Sequence, residues 1–154
     1  MPGPVNGSPL VMALLETAVR QIRDDLYALS AARFPGLRMR HYRLLSLLPP
    51  GGERLSRLAA DSGLTKQALA QALAPLEAGG YVEVVPDPSD GRARLVRHTD
   101  RGREVDAAAR DRLEAVEREW ARRVGEERYA VARAVLADLA PGPGGPSSPV
   151  TVEE

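Results

Sequence analysis

Few side chains in this sequence could support covalent or metal chemistry. His41 and His98 are the two histidines, far apart in sequence, and there is no cysteine. A thiolate nucleophile, a disulfide and a Cys/His metal site are therefore excluded, and two distant imidazoles do not suggest a ligand set. The adjacent carboxylates Asp24–Asp25 and Glu126–Glu127 point in different directions on a helix and read as solvated faces. Neither a glycine-rich phosphate loop after a strand nor a nucleophile elbow is present. An enzyme is not expected, nor is a cofactor or a metal.

A different chemistry is carried by Thr65, Lys66, Gln67 and Gln71, and by Arg92 and Arg94. A glutamine amide both donates and accepts and can read a base edge. A lysine or arginine neutralises a phosphate, and a threonine hydroxyl can bond one. For Arg92 and Arg94 this reading outweighs simple solvation; for an isolated arginine elsewhere, solvation is the default.

The elements that must position these groups follow from periodicity. Leu64 plugs a corner after Asp61-Ser62-Gly63, where glycine can adopt the left-handed backbone of a tight turn. Thr65 is a good N-cap for a helix from Lys66 to Ala78, about 20 Å long at about 1.5 Å per residue. Leu69, Leu73 and Leu76 form its buried stripe, with Lys66, Gln67, Ala70 and Gln71 opposite. Together with Leu55–Ala60 this is a helix-turn-helix pattern. Pro75 should kink its last turns, and Gly79-Gly80 should cap it. Tyr81–Val85 and Arg92–His98 then read as two strands around a long tip, Pro86–Gly91, a wing that carries Arg92, Arg94 and Arg97.

Flanking helices are expected over Leu10–Leu29, Arg38–Leu48 and Asp100–Val124, with a last one through Tyr129–Leu139. Their apolar positions exceed what a winged domain of about fifty residues could cover, so they should pair with symmetry mates. Trp120 and Tyr129 fit core or dimer packing, or the lining of a ligand pocket. The fold class is mainly α with a small β wing. Residues 1–9 and 141–154, rich in Pro and Gly, read as disordered tails. Residues 10–140 read as one domain, with 38–102 as the winged helix and 10–37 and 103–140 as dimerisation helices.

The chain has 154 residues, 44% apolar and 27% charged, with 21 basic and 21 acidic side chains, a composition for one soluble globular domain. Between Arg38 and Arg103, however, eleven bases stand against seven acids, so one region is positive and the remainder negative, as expected where one face meets phosphate. No run is apolar enough to span a membrane, and no secretory signal is seen, so a cytoplasmic location is expected.

The run Leu55-Ser-Arg-Leu-Ala-Ala-Asp-Ser-Gly-Leu-Thr-Lys-Gln-Ala-Leu, continuing to Gly80-Tyr-Val-Glu and followed by Asp87-Pro-Ser-Asp-Gly-Arg-Ala-Arg-Leu-Val, resembles the multiple-antibiotic-resistance regulator (MarR) family. The Asp-Pro-x-Asp-x-Arg wing is the sharper part of that match, and the motifs cover about residues 55–102. The resemblance implies a homodimeric winged-helix regulator that binds double-stranded DNA, as repressor or activator, often released by a small phenolic or aromatic effector. It also implies that Asp90 orients an arginine of the wing. Three residues depart from the pattern: His98 replaces an apolar residue, Pro75 interrupts the recognition helix, and Arg54 stands where Ser or Thr would cap the first helix of the motif. The alternative reading is a winged-helix protein-interaction module, or a ligand carrier, with DNA binding weak or lost, because Ala68, Ala70 and Ala74 leave the recognition helix poor in polar groups.

Overall fold

The computed structural model describes residues 9–140; the expected tails, apart from Pro9, lie outside them. The elements run α1 (Val11–Arg33), α2 (Met39–Ser46), β1 (Glu53–Arg54), α3 (Leu55–Ser62), α4 (Lys66–Ala78), β2 (Val82–Asp87), β3 (Asp90–His98), α5 (Asp100–Val124) and α6 (Glu126–Leu139). The chain forms two compact units, one ending at Leu113 and the other beginning at Glu114.

In the first unit the core gathers Leu26 of α1, Leu44 and Leu45 of α2, Leu58 of α3, Leu69, Leu73 and Leu76 of α4, Val82 and Val96 of the sheet, and Val105 of α5. Fully burying each leucine removes enough apolar surface to contribute about 1.5–3 kcal/mol. Two polar groups enter this core with their partners. The Ser30 hydroxyl donates to the Leu26 carbonyl at 3.0 Å and lies 2.7 Å from the Tyr42 hydroxyl, so neither hydroxyl is left unsatisfied.

The helix-turn-helix closes as the sequence pattern requires. Gly63 is left-handed, with φ 69°. Its amide bonds the Ala60 carbonyl and the Leu64 amide bonds that of Ala59, while the Leu64 side chain packs on the core. The end of α4 repeats this pattern: Gly80 donates to Glu77 and Tyr81 to Leu76, a Schellman closure that returns the buried Tyr81 ring to the core. Helix α4 runs through Pro75 to Ala78. Pro75 is exposed and close to the helix end, where the missing N–H and ring clash are best tolerated.

The three strands are antiparallel in the order β1-β3-β2. Here the structure corrects two readings. The tip is short: Pro86 and Asp87 belong to β2, opposite Arg94 and Asp90, with a register slip between them. Pro86 is tolerated because β2 is an edge strand, where a missing N–H breaks no ladder. A third strand, β1, was also not expected; its Glu53 and Arg54 pair with Val96 and Leu95.

The second unit comprises the end of α5 and all of α6. Tyr129 is half-buried there, and its hydroxyl bonds the Glu117 carboxylate; burial first, and then this acid, raises the phenol above its ordinary value. Val131, Val135, Leu136 and Leu139 of α6 are exposed, as are Val11, Leu14, Leu15 and Val19 of α1 in the first unit.

Candidate nucleic-acid interface

Thr65 precedes α4 with an extended backbone, and its Oγ1 accepts from the Ala68 amide at 3.2 Å. The cap satisfies one of the open N–H groups of the first turn and leaves the hydroxyl proton for an external acceptor. Lys66, Gln67, Ala70, Gln71 and Ala74 are all exposed, while Leu69, Ala72, Leu73 and Leu76 are buried. At a helical period of 3.6 the exposed set is one continuous face. The first turn contains no acidic residue, so the positive end of the helix dipole and Lys66 act together on an approaching anion.

The wing carries the second set. Arg92 is exposed, and its amide donates to Asp90 Oδ1 at 3.2 Å. Arg94, also exposed, donates through Nη2 to the Val84 carbonyl across the hairpin at 3.1 Å. Asp90 thus shapes the backbone at Arg92 and stands 3.9 Å from Arg54.

Tertiary pairing decides which of the eleven basic residues between Arg38 and Arg103 remain available. Arg57 pairs with Asp61 at 3.1 Å, Arg97 with Glu83 at 2.7 Å, and Arg103 with Asp100. Arg54 pairs with Asp87 at 2.7 Å. Arg101 stacks on the Tyr81 ring, 4.6 Å from its centre, and donates to the Gly79 carbonyl at 3.0 Å. Among the described residues, Arg38, Arg40, Arg43, Lys66, Arg92, Arg94 and Arg101 have no carboxylate partner, whereas Glu53 and Glu77 are the acids of this segment without a cation. The positive excess therefore resides in side chains that no carboxylate of the fold neutralises.

One ion pair here lies beyond the sequence expectation, that of Asp87 with Arg54. Asp87 is buried at 7% exposure, and its Oδ1 accepts from the Ser89 amide at 2.8 Å and the Ser89 hydroxyl at 2.7 Å. Its Oδ2 accepts from Arg54 Nε at 2.7 Å. The Ser89 bonds first, and then Arg54, hold the carboxyl below its ordinary range. The signal available in sequence was the anomalous arginine at the helix cap, but its partner is 33 residues away.

The histidines are structural. His41 is buried at the start of α2, where Nδ1 accepts from the Arg38 amide at 3.0 Å; burial, then Arg40 and Arg38, hold its pKa below the ordinary value. His98 Nε2 lies 3.0 Å from the Leu45 carbonyl and donates there, which satisfies one ring nitrogen, while its buried Nδ1 has no hydrogen-bond partner among the described residues. Among the described residues no group of acids and histidines could hold a metal ion, and no helix is long and apolar enough to cross a membrane.

No protein-family model matches the chain, and no curated protein matches it in sequence. Solved structures do. FabT of Streptococcus pneumoniae in complex with DNA is 19% identical with a TM-score of 0.73, covering 84% of this chain and 92% of that one. MarR is 23% identical with a TM-score of 0.71, covering 90% and 92%. CouR from Rhodococcus jostii RHA1, bound to p-coumaroyl-CoA, is 25% identical with a TM-score of 0.66, covering 91% and 93%. The described chain has the winged-helix fold of the MarR-family regulators.

Proposed function

We propose that this chain is a transcriptional regulator that binds a palindromic operator as a homodimer, working by binding and not by catalysis, in the cytoplasm. The observation that carries the reading is the coincidence, within one compact unit, of an exposed face on α4 whose first turn holds no acid with the wing cations Arg92 and Arg94, which have no carboxylate partner among the described residues. Thr65 and Lys66 hold phosphate, Gln67 and Gln71 read base edges, and Arg92 and Arg94 engage the backbone or minor groove. Asp90 orients the wing by fixing the Arg92 backbone. FabT, with this fold, is described in complex with DNA, which supports the same use here.

The homodimer is inferred from the apolar residues left open on α1 and α6. Exposed aliphatic surface of this kind is stabilised by burial against a second copy. A small aromatic effector is part of the reading because CouR, of the same fold, is bound to p-coumaroyl-CoA.

Fluorescence polarisation with a random-sequence duplex across a salt series is the first test. Binding at low salt that weakens steeply as salt rises supports the reading, since released counterions make phosphate contacts salt-dependent. Absence of binding at low salt favours the protein-interaction module, for which the exposed Ala70 and Ala74 of α4 would be the contact face.

A further inference from the structure

Arg54 occupies the N-cap position of α3, yet its side chain makes no capping bond there. A Ser, Thr or Asp at such a position satisfies an open amide and stabilises the helix; an arginine cannot accept a hydrogen bond. The guanidinium instead reaches the wing. Nε donates to Asp87 Oδ2 at 2.7 Å, Nη2 lies at the same distance from that oxygen and 3.4 Å from the Ser89 hydroxyl, and Nη1 stands 3.9 Å from Asp90. Its backbone pairs with Leu95 of β3, so main chain and side chain of one residue grip both strands of the hairpin.

The contact falls at the register slip between Pro86 and Asp87. Regular ladder bonding is interrupted there, and the tip needs other bonds to fix its direction. Asp87, buried and accepting from Ser89 and Arg54, supplies them. Asp90 in turn holds the Arg92 amide. The two wing carboxylates would also oppose phosphate if left without a cation.

We propose that Arg54 is a positioning residue for the wing: through Asp87 it sets the direction in which Arg92 and Arg94 are carried, and it offsets the charge of Asp87 and Asp90 beside them. This rests on the DNA-binding reading above. The fold gives up a cap on α3 and gains an anchored wing.

The discriminating variant is Arg54→Thr, which restores a cap to α3 while releasing the wing. Its thermal midpoint should exceed that of Arg54→Ala, because the restored cap offsets part of the lost Asp87 pairing, while its affinity for duplex DNA falls about tenfold, as when a well-oriented charged contact is lost. In an Arg92→Ala/Arg94→Ala background the same substitution should weaken binding by less than it does in the wild type, because the cations that it positions are gone. Without DNA, amide exchange at Ser89 should accelerate in Arg54→Thr while exchange in α4 is unchanged. Asp87→Asn serves as the second variant if Arg54→Thr does not fold: it restores no cap, so its thermal midpoint should fall, while amide exchange at Ser89 should accelerate as in Arg54→Thr. Full additivity with Arg92→Ala/Arg94→Ala would show that Arg54 contacts DNA itself and overturn the proposal. Wild-type binding together with unaltered Ser89 exchange would overturn it as well. If the wild-type chain binds no duplex, the DNA-binding reading falls, and the exchange measurement still decides whether Arg54 anchors the wing.

Discussion

Thr99 and Gly80 tie the exit of α4 to the entry of α5. The Thr99 hydroxyl donates to the Gly80 carbonyl at 2.6 Å and accepts from the Gly102 amide at 3.1 Å, while the Thr99 amide donates to the Tyr81 carbonyl at 3.2 Å. A single side chain closes the turn after the recognition helix and caps the next helix. Arg101, held on the Gly79 carbonyl and the Tyr81 ring, adds a second clasp, so these two helix ends move together.

Thr99→Val removes both hydroxyl bonds at constant shape and should destabilise the fold by about 1–2 kcal/mol. Gly102→Ala should cost more, about 3 kcal/mol, because its Cβ would lie 1.9 Å from the Tyr81 carbonyl oxygen, and that overlap outweighs the helix propensity gained. Urea denaturation of the two variants checks the order. A stabilised Gly102→Ala would contradict the packing described here.

His41 makes stability depend on pH with a defined sign. The folded chain holds this imidazole below its ordinary value of 6.5. The unfolded chain therefore binds a proton first as pH falls. Stability is complete above that value, declines below it, and levels off once the folded form is protonated too. In His41→Asn, whose side-chain oxygen can still accept from the Arg38 amide, this decline should flatten. Denaturation midpoints between neutral and mildly acidic pH report it.

Arg92→Ala should weaken binding to every duplex and lower the salt slope by about one, because a lost cation takes a released counterion with it. Gln71→Ala should instead relax preference at one or two operator positions and leave nonspecific affinity nearly intact. Equal losses on all sequences would move Gln71 to the backbone contacts.

Sedimentation should show two chains at micromolar concentration. Leu15→Glu with Val19→Glu, on the open α1 face, should shift the protein to monomer, since an unpaired charge buried at an interface costs several kcal/mol. An unchanged dimer would place the interface elsewhere.

The helices, and both ends of α4 and α5, were legible because the causes are local, whereas α1 runs on to Arg33, α3 to Ser62, and α6 begins at Glu126. Leu69, Leu73 and Leu76 recur at helical spacing, Thr65 caps, and Gly63 and Gly80 terminate; each of these placements stands in the structure. The exposed face of α4 followed from the same periodicity. The wing tip was misread because Pro86 and Asp87 are turn formers by type, yet an edge strand accepts them. Strand β1, two residues long, is too short to show a period. Composition could count the arginines of the central segment, but Arg54, Arg97 and Arg101 are occupied by partners distant in sequence. That occupancy is a tertiary property.

The most direct measurement is selection of binding sites from random DNA, followed by a five-base-pair insertion at the centre of the selected operator. Two recognition helices related by a twofold axis meet successive major grooves about 34 Å apart, so the selected site should be an inverted repeat with half-site centres about ten base pairs apart. The insertion turns the half-sites to opposite faces, and binding should fall to the level of a random duplex. Selection of no inverted repeat, or equal affinity for the operator with and without the insertion, would contradict the proposed dimeric regulator.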